Sequence, residues 1–105
     1  MNAELKAKWV SALRSGEYEQ TIGALRRGTA ERFYYCCLGV LYCIEGKEKV
    51  PSKPTPETSA LSRWEMDEPT RILLEGMNDG GLTPDGKQLH RHSFAEIAEW
   101  IEANL

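Results

Sequence analysis

The sequence of 105 residues has little of what marks several large protein classes. No apolar run approaches the roughly 18 residues that span a bilayer, and the first residues lack the apolar stretch of a secretory signal. Only three cysteines are present, all within 36–43, which is unlike the spaced cysteines of a disulfide framework. We therefore expect a cytoplasmic protein with reduced, mostly buried thiols and no association with membranes.

An excess of positive charge is also missing. Thirteen Lys and Arg residues against 16 Asp and Glu residues give a net charge of −3, which disfavours a dedicated nucleic-acid binder. The charge is uneven, because residues 1–50 carry 8 basic and 6 acidic side chains, whereas residues 51–105 carry 5 and 10. The acidic second half is typical of a solvated surface or of a surface for a basic partner.

The length and composition predict one small globular domain over residues 1–105. Apolar periodicity favours a mainly helical α+β fold, with an amphipathic first helix between an Asn2 cap and Gly16. A capping box of Ser93 and Glu96 begins an amphipathic last helix. Residues 33–44 are apolar on all sides and predict a central buried helix, in which Gly39 requires the close approach of another element.

The rest of the chain predicts connections and short elements. Two prolines mark a loop over 47–55, a short helix follows over 56–66, and Pro69 opens another helix that ends at 78–81. Residues 83–86 predict a tight turn. We expect at most a small antiparallel sheet, formed from the regions 17–27 and 82–92.

Six short motifs carry a resemblance to a known family. They are LRSGEYEQ at 13–20, LR at 25–26, CCLGVL at 36–41, MND at 77–79, SFAEIA at 93–98 and IEANL at 101–105. With them the chain resembles a family of small accessory proteins encoded by tailed phages and prophages. The resemblance implies a protein that acts in the cytoplasm of the bacterial host, where such proteins often bind and inhibit defence or regulatory machinery. It supplies no catalytic residue, and we predict no cofactor and no metal.

The cysteines admit three interpretations. Cys36, Cys37 and Cys43 could bind zinc together with His90 and His92, although neither a CxxC nor an HxxxH spacing is present. Cys36 could instead be a nucleophile with one of these histidines as its base, which would make the chain a cysteine-dependent enzyme. Burial in the core is the interpretation that the apolar context favours.

Two features favour binding to a protein. Trp64 and Trp100 lie outside the clearest apolar stripes, so at least one of them is predicted to be an exposed anchor. Glu96, Glu99 and Glu102 follow one another at helical spacing and form an acidic face that either steers a basic partner or is merely solvated. These features predict a non-enzymatic phage protein that binds a bacterial host protein and inhibits or modulates it. Inhibition of a defence system such as CRISPR is the most concrete version.

The alternative function is that of a small nucleic-acid-binding regulator. Basic and aromatic side chains occur together in the region 26–35 and could combine phosphate contacts with base stacking. The residues are Arg26, Arg27, Arg32, Tyr34 and Tyr35.

Overall fold

The structure, a computed structural model, describes residues 1–47, 49–81, 85–87 and 90–105. The elements follow the order α1 (Ala3–Arg14), β1 (Arg26–Thr29), β2 (Arg32–Tyr35), α2 (Cys37–Glu45), α3 (Thr58–Trp64), α4 (Glu68–Asp79) and α5 (Phe94–Asn104). The predicted α+β class is confirmed, since a two-stranded antiparallel sheet accompanies helices in a single compact body. In the part of the chain described, no helix is both long and apolar enough to cross a membrane.

Helix α2 lies at the centre of the core. Its residues 37–42 are buried, and α1 packs against both α2 and α5. The indole Nε1 of Trp9 in α1 donates to the carbonyl oxygen of Cys37 at 2.9 Å, which satisfies both buried groups. Trp9 is therefore a core residue that joins α1 to the start of α2.

The helix termini follow the capping signals. Asn2 accepts a hydrogen bond from the amide of Leu5 at the start of α1, and Ser93 and Glu96 form the predicted capping box of α5. Helix α4 carries a proline in its first turn and ends at Gly80, as predicted. Residues 83 and 84 of the predicted turn at 83–86 lie outside the described residues.

The predicted central helix is partly wrong at its start. Residues 33–35 belong to β2, and the helix begins only at Cys37. The apolar run therefore contains two elements, because three consecutive aromatic residues favour a strand where a partner strand is available. That partner is β1, which pairs Arg26 with Tyr35 and Thr29 with Arg32.

The predicted location of the sheet is also wrong. Only Arg26 and Arg27 of the region 17–27 belong to a strand, and Gln20 adds an isolated parallel bridge to Tyr35. Of the region 82–92, residues 85–87 and 90–92 form no strand, and the others lie outside the described residues. The partner of β1 is its immediate neighbour along the chain, across a two-residue turn at 30–31.

Gly39 has the close neighbour that its position requires. A Cβ atom built on this residue would lie 2.0 Å from the carbonyl oxygen of Leu25. The segment between Thr21 and Leu25 therefore runs directly across the first turn of α2. This contact fixes the loop that leads into the sheet.

Candidate functional site

The three thiols are parts of the core. Cys36 and Cys37 are buried and Cys43 is half-buried. Burial raises the pKa of Cys36 to about 12, and it raises the pKa of Cys37 well above the usual range. Because a nucleophilic thiol needs a lowered pKa, the environment of Cys36 opposes the predicted attack chemistry.

The predicted histidine partners do not join the thiols. Cys36 makes no hydrogen bond to His90 or His92 in the part of the chain described, and the buried Nδ1 of His92 has no described partner. Within residues 1–47, 49–81, 85–87 and 90–105, no group of three or more His, Cys, Asp or Glu residues is placed to hold a metal ion. The geometry therefore assembles neither the zinc site nor the Cys–His pair.

A buried asparagine connects three segments of the fold. The Oδ1 atom of Asn78 accepts from the amide of Cys37 at 3.1 Å and from Nε2 of Gln20 at 3.0 Å. Its Nδ2 atom donates to the carbonyl oxygen of Thr21 at 2.7 Å and to a carboxylate oxygen of Asp79 at 2.8 Å. Every hydrogen-bonding group of this amide is satisfied, so the arrangement positions backbone and leaves no group free for a ligand.

The network explains part of the motif pattern. Gln20 closes LRSGEYEQ, Cys37 lies in CCLGVL, and Asn78 lies in MND. Gln20 also donates to the carbonyl oxygen of His92 at 2.8 Å, which brings in the segment before α5. The sequence interpretation missed this hub because Asn78 counted there only as part of a helix stop.

The β-hairpin divides the predicted nucleic-acid residues between two faces. Register places Arg26 opposite Tyr35 on one face, and Arg27 opposite Tyr34 on the other. On the first face, Arg26 stacks over the Phe33 ring at 4.6 Å, and Tyr35 packs edge-on against Tyr18 with 5.8 Å between ring centroids. Two of the five predicted residues are therefore used within the fold.

The second hairpin face is open to solvent. It carries Arg27, Arg32 and Tyr34, and the Arg32 guanidinium lies 5.6 Å from the Tyr34 ring centroid. Arg32 also forms an ion pair with Glu19. That carboxylate neutralises part of the face, so Arg27 is the cation with no described ion-pair partner.

The two predicted anchors have different surroundings. Trp64 is fully buried, and its ring meets Tyr42 edge-on with 4.9 Å between centroids, so it is not the exposed member of the predicted pair. The reason is the short helix α3, which directs Ala60, Leu61 and Trp64 into the core. Trp100 is half-buried against the core and keeps part of its ring at the surface.

The acidic residues of α5 have separate tasks. Glu96 accepts from the amide of Ser93 in the capping box, and Glu102 binds Arg14 through two hydrogen bonds of 3.0 and 3.2 Å. These contacts lower the pKa of both carboxyl groups. Glu99 alone among the three makes neither a hydrogen bond nor an ion pair through its carboxylate in the described part of the chain, so the face is less acidic in effect than its sequence indicates.

A groove of about 650 Å³ runs along the outer side of α1. Its floor consists of small or short apolar side chains, and Lys6, Arg14 and Glu102 form its rim. The Nζ of Lys6 donates to the main-chain oxygen of Glu102 at 3.2 Å and meets no described carboxylate. The remaining lining residues are Ala3, Ala7, Val10, Ser11 and Ser15. This arrangement offers close approach over the floor, beside an edge where Lys6, Arg14 and Glu102 are joined by hydrogen bonds.

Comparison with known proteins gives one match. Residues 1–67 match the family described as Domain of unknown function (DUF8296). No curated protein and no solved structure matches the chain.

Proposed function

This chain belongs to the DUF8296 family, and from its six motifs and its surface we propose that it is a non-enzymatic binding protein of phage or prophage origin. It acts on a protein of the bacterial host, in the host cytoplasm, and inhibits or modulates that protein. Inhibition of a defence system is the concrete form of this activity. The groove along α1 is the observation that carries the proposal.

The groove fits a helical segment of the partner. Ala3, Ala7 and Ser11 recur every four residues and so share one face of α1, where their short side chains let a second helix approach closely. Grooves that bind an amphipathic helix offer a similar apolar floor. The partner segment therefore presents a small or apolar stripe to α1.

The charged edge of the groove favours a partner of mixed charge. The ammonium group of Lys6 has N–H donors beyond the one given to the main-chain oxygen of Glu102, so it can meet a carboxylate of the partner. Glu99 lies one helical turn before Glu102 and near Arg14, and it can meet a basic side chain of the partner beside this edge. Paired charges of this kind favour one position of the bound helix over others.

The chemistry of the thiols supports binding over catalysis. A desolvated thiol with a raised pKa is protonated at neutral pH and is a poor nucleophile. The proposal therefore assigns Cys36 to the core.

The experiment blocks the groove without touching the core. Wild-type protein immobilised as bait selects a partner from a lysate of phage-sensitive bacteria, and the purified partner is then titrated against variants. We expect Ala7→Arg and Ser11→Arg to raise the dissociation constant at least about thirtyfold, the size of a hot-spot loss. Ile72→Arg is the matched control, because this exposed residue lies on α4 away from the groove. It should leave affinity within about twofold.

Three results would contradict the proposal. If Ala7→Arg binds the partner as wild type does, the groove is not the site. A shift of bare DNA or RNA that weakens steeply with salt, and that Arg32→Gln and Tyr34→Ala abolish, would favour the nucleic-acid regulator. Thiol-dependent turnover that Cys36→Ala abolishes would favour the enzyme.

A further inference from the structure

Two arginines that form no described ion pair lie beside the loop that precedes the hairpin. Three successive backbone amides of this loop also lack a described acceptor. Residues 20–22 and Arg91 line a concavity of about 340 Å³. At the next residue of the loop, the guanidinium of Arg27 lies so close to Gly23 that a Cβ atom there would be 3.0 Å from its terminal nitrogen. In the described part of the chain, neither arginine forms a hydrogen bond or an ion pair.

The backbone of this loop has unused donors. Thr21 donates its amide to Tyr35 and Leu25 donates to Lys53, which fixes both ends of the loop. Between them, the amides of Ile22, Gly23 and Ala24 donate to no described group. Gly23 has a φ of +77°, and successive amides beside a left-handed residue form the concave donor arrangement that binds anions.

The loop is rigid at the point where a ligand would bind. The Nδ2 atom of Asn78 donates to the carbonyl oxygen of Thr21, and the amide of Cys36 donates to the carbonyl oxygen of Leu25 at 3.3 Å. These two hydrogen bonds hold the backbone at both ends of the loop. Donors held in place in this way lose little freedom on binding, which favours affinity.

We propose that the loop 21–24, with Arg91 beside Ile22 and Arg27 beside Gly23, is a binding site for a phosphate group. Guanidinium groups and backbone amides are the donors that phosphate oxygens accept from most strongly. Inorganic phosphate, a nucleotide and the backbone of a nucleic acid share this chemistry. The inference goes beyond the proposed function, because the loop and the α1 groove have no lining residue in common.

The test is a titration of isotope-labelled protein with inorganic phosphate, followed by amide resonances. We expect saturable shifts of Ile22, Gly23 and Ala24. Arg27→Gln and Arg91→Gln should each weaken binding about tenfold, as loss of a charged hydrogen-bond donor does. Arg32→Gln is the control, because this arginine is also exposed but is engaged by Glu19. Its effect should stay within about twofold.

Two further ligands identify the source of the phosphate. A nucleoside monophosphate that binds more tightly than inorganic phosphate would assign a nucleotide, and a short single-stranded oligonucleotide that binds most tightly would assign a nucleic acid. Either outcome supports the site when Arg91→Gln weakens it.

The proposal is overturned if phosphate in the millimolar range leaves the three amides unshifted, or if Arg32→Gln weakens binding as much as Arg91→Gln does. Equal weakening by Arg32→Gln would show that phosphate is attracted to positive charge in general and not to this loop. Because Ala7→Arg leaves the loop untouched, failure of this site and failure of the groove are seen in different variants.

Discussion

The side chain of Asn78 in α4 accepts a hydrogen bond from the backbone amide of Cys37, the first residue of α2. The first amides of a helix have no partner within it, so one polar side chain of a neighbouring helix caps α2 from the side. Cys36 precedes this helix and gives no side-chain cap to its backbone amides. The hydrogen bond to the Cys37 amide therefore joins α4 to the start of α2.

Replacing Asn78 should destabilise the protein strongly. Asn78→Ala leaves the buried Cys37 amide and the Thr21 carbonyl without partners, and we expect a loss of about 3 kcal/mol in the free energy of unfolding. Urea unfolding measures it. Asn104→Ala is the control, since Asn104 is exposed and donates only to Trp100 at 2.8 Å. A loss below about 1 kcal/mol for Asn78→Ala would show that water replaces the network.

Gly39→Ala tests the close approach of Leu25 by the sign of its effect. Helix propensity alone predicts that Ala stabilises this helical position by about 1 kcal/mol. The carbonyl oxygen at 2.0 Å predicts the opposite, because backbone cannot move aside as a side chain can. We expect a loss of about 3 kcal/mol in thermal or urea unfolding. Any gain in stability would contradict the contact.

The Cys36 thiol should make the fold sensitive to base. Its pKa is about 12 in the folded protein against 9.0 for an unperturbed thiol, so between these values the folded state holds more protons than the unfolded state. Unfolding free energy must then fall as pH rises from about 9 towards 12, by up to about 1.4 kcal/mol per pH unit for one such group. Its stabilising effect is fully present below pH 9.

The slope identifies the group responsible. Unfolding in urea at several pH values between 8 and 11 gives the dependence, and Cys36→Ala should make it shallower than in wild type. Burial also raises the pKa values of Cys37, Cys43, Tyr18 and Tyr35, which act in the same direction, so a residual slope is expected. An unchanged slope in Cys36→Ala would assign the whole effect to other groups.

Fluorescence quenching should separate the three tryptophans. Trp9 and Trp64 are fully buried, whereas Trp100 keeps part of its ring at the surface. Iodide quenches only groups that it can reach, so Trp100→Phe should remove most of the quenchable emission. Trp64→Phe is the matched variant and should leave the quenchable part intact. If Trp64→Phe abolishes quenching instead, Trp64 is accessible in solution.

The sequence predicted those elements whose signals are local. Side-chain caps at Asn2 and Ser93 and the apolar stripe of α5 depend on neighbours three or four residues away, and each was predicted correctly. Gly39 was also interpreted correctly, because a glycine inside an apolar helix costs stability unless something approaches it.

The errors concern partners that are distant or that compete. Residues 33–35 suit a helix by hydrophobicity and a strand by shape, and only the presence of β1 decides between them. Asn78 resembles any residue near a helix end, and its burial depends on Gln20 and Cys37, which lie far away in sequence. The α1 groove is likewise invisible in sequence, since it arises from where α5 packs.

The Asn78 network has a consequence for the order of folding. Its bonds join residues 41 and 57 positions apart, whereas the hairpin joins neighbours across a two-residue turn. Closing a long loop costs entropy before any bond repays it, so we expect the hairpin to form early and the Asn78 bonds to form after the rate-limiting step. Asn78→Ala should then speed unfolding and leave the refolding rate nearly unchanged. Asn78 therefore sets the unfolding rate, and with it the lifetime of the native state, more than it sets the rate of folding.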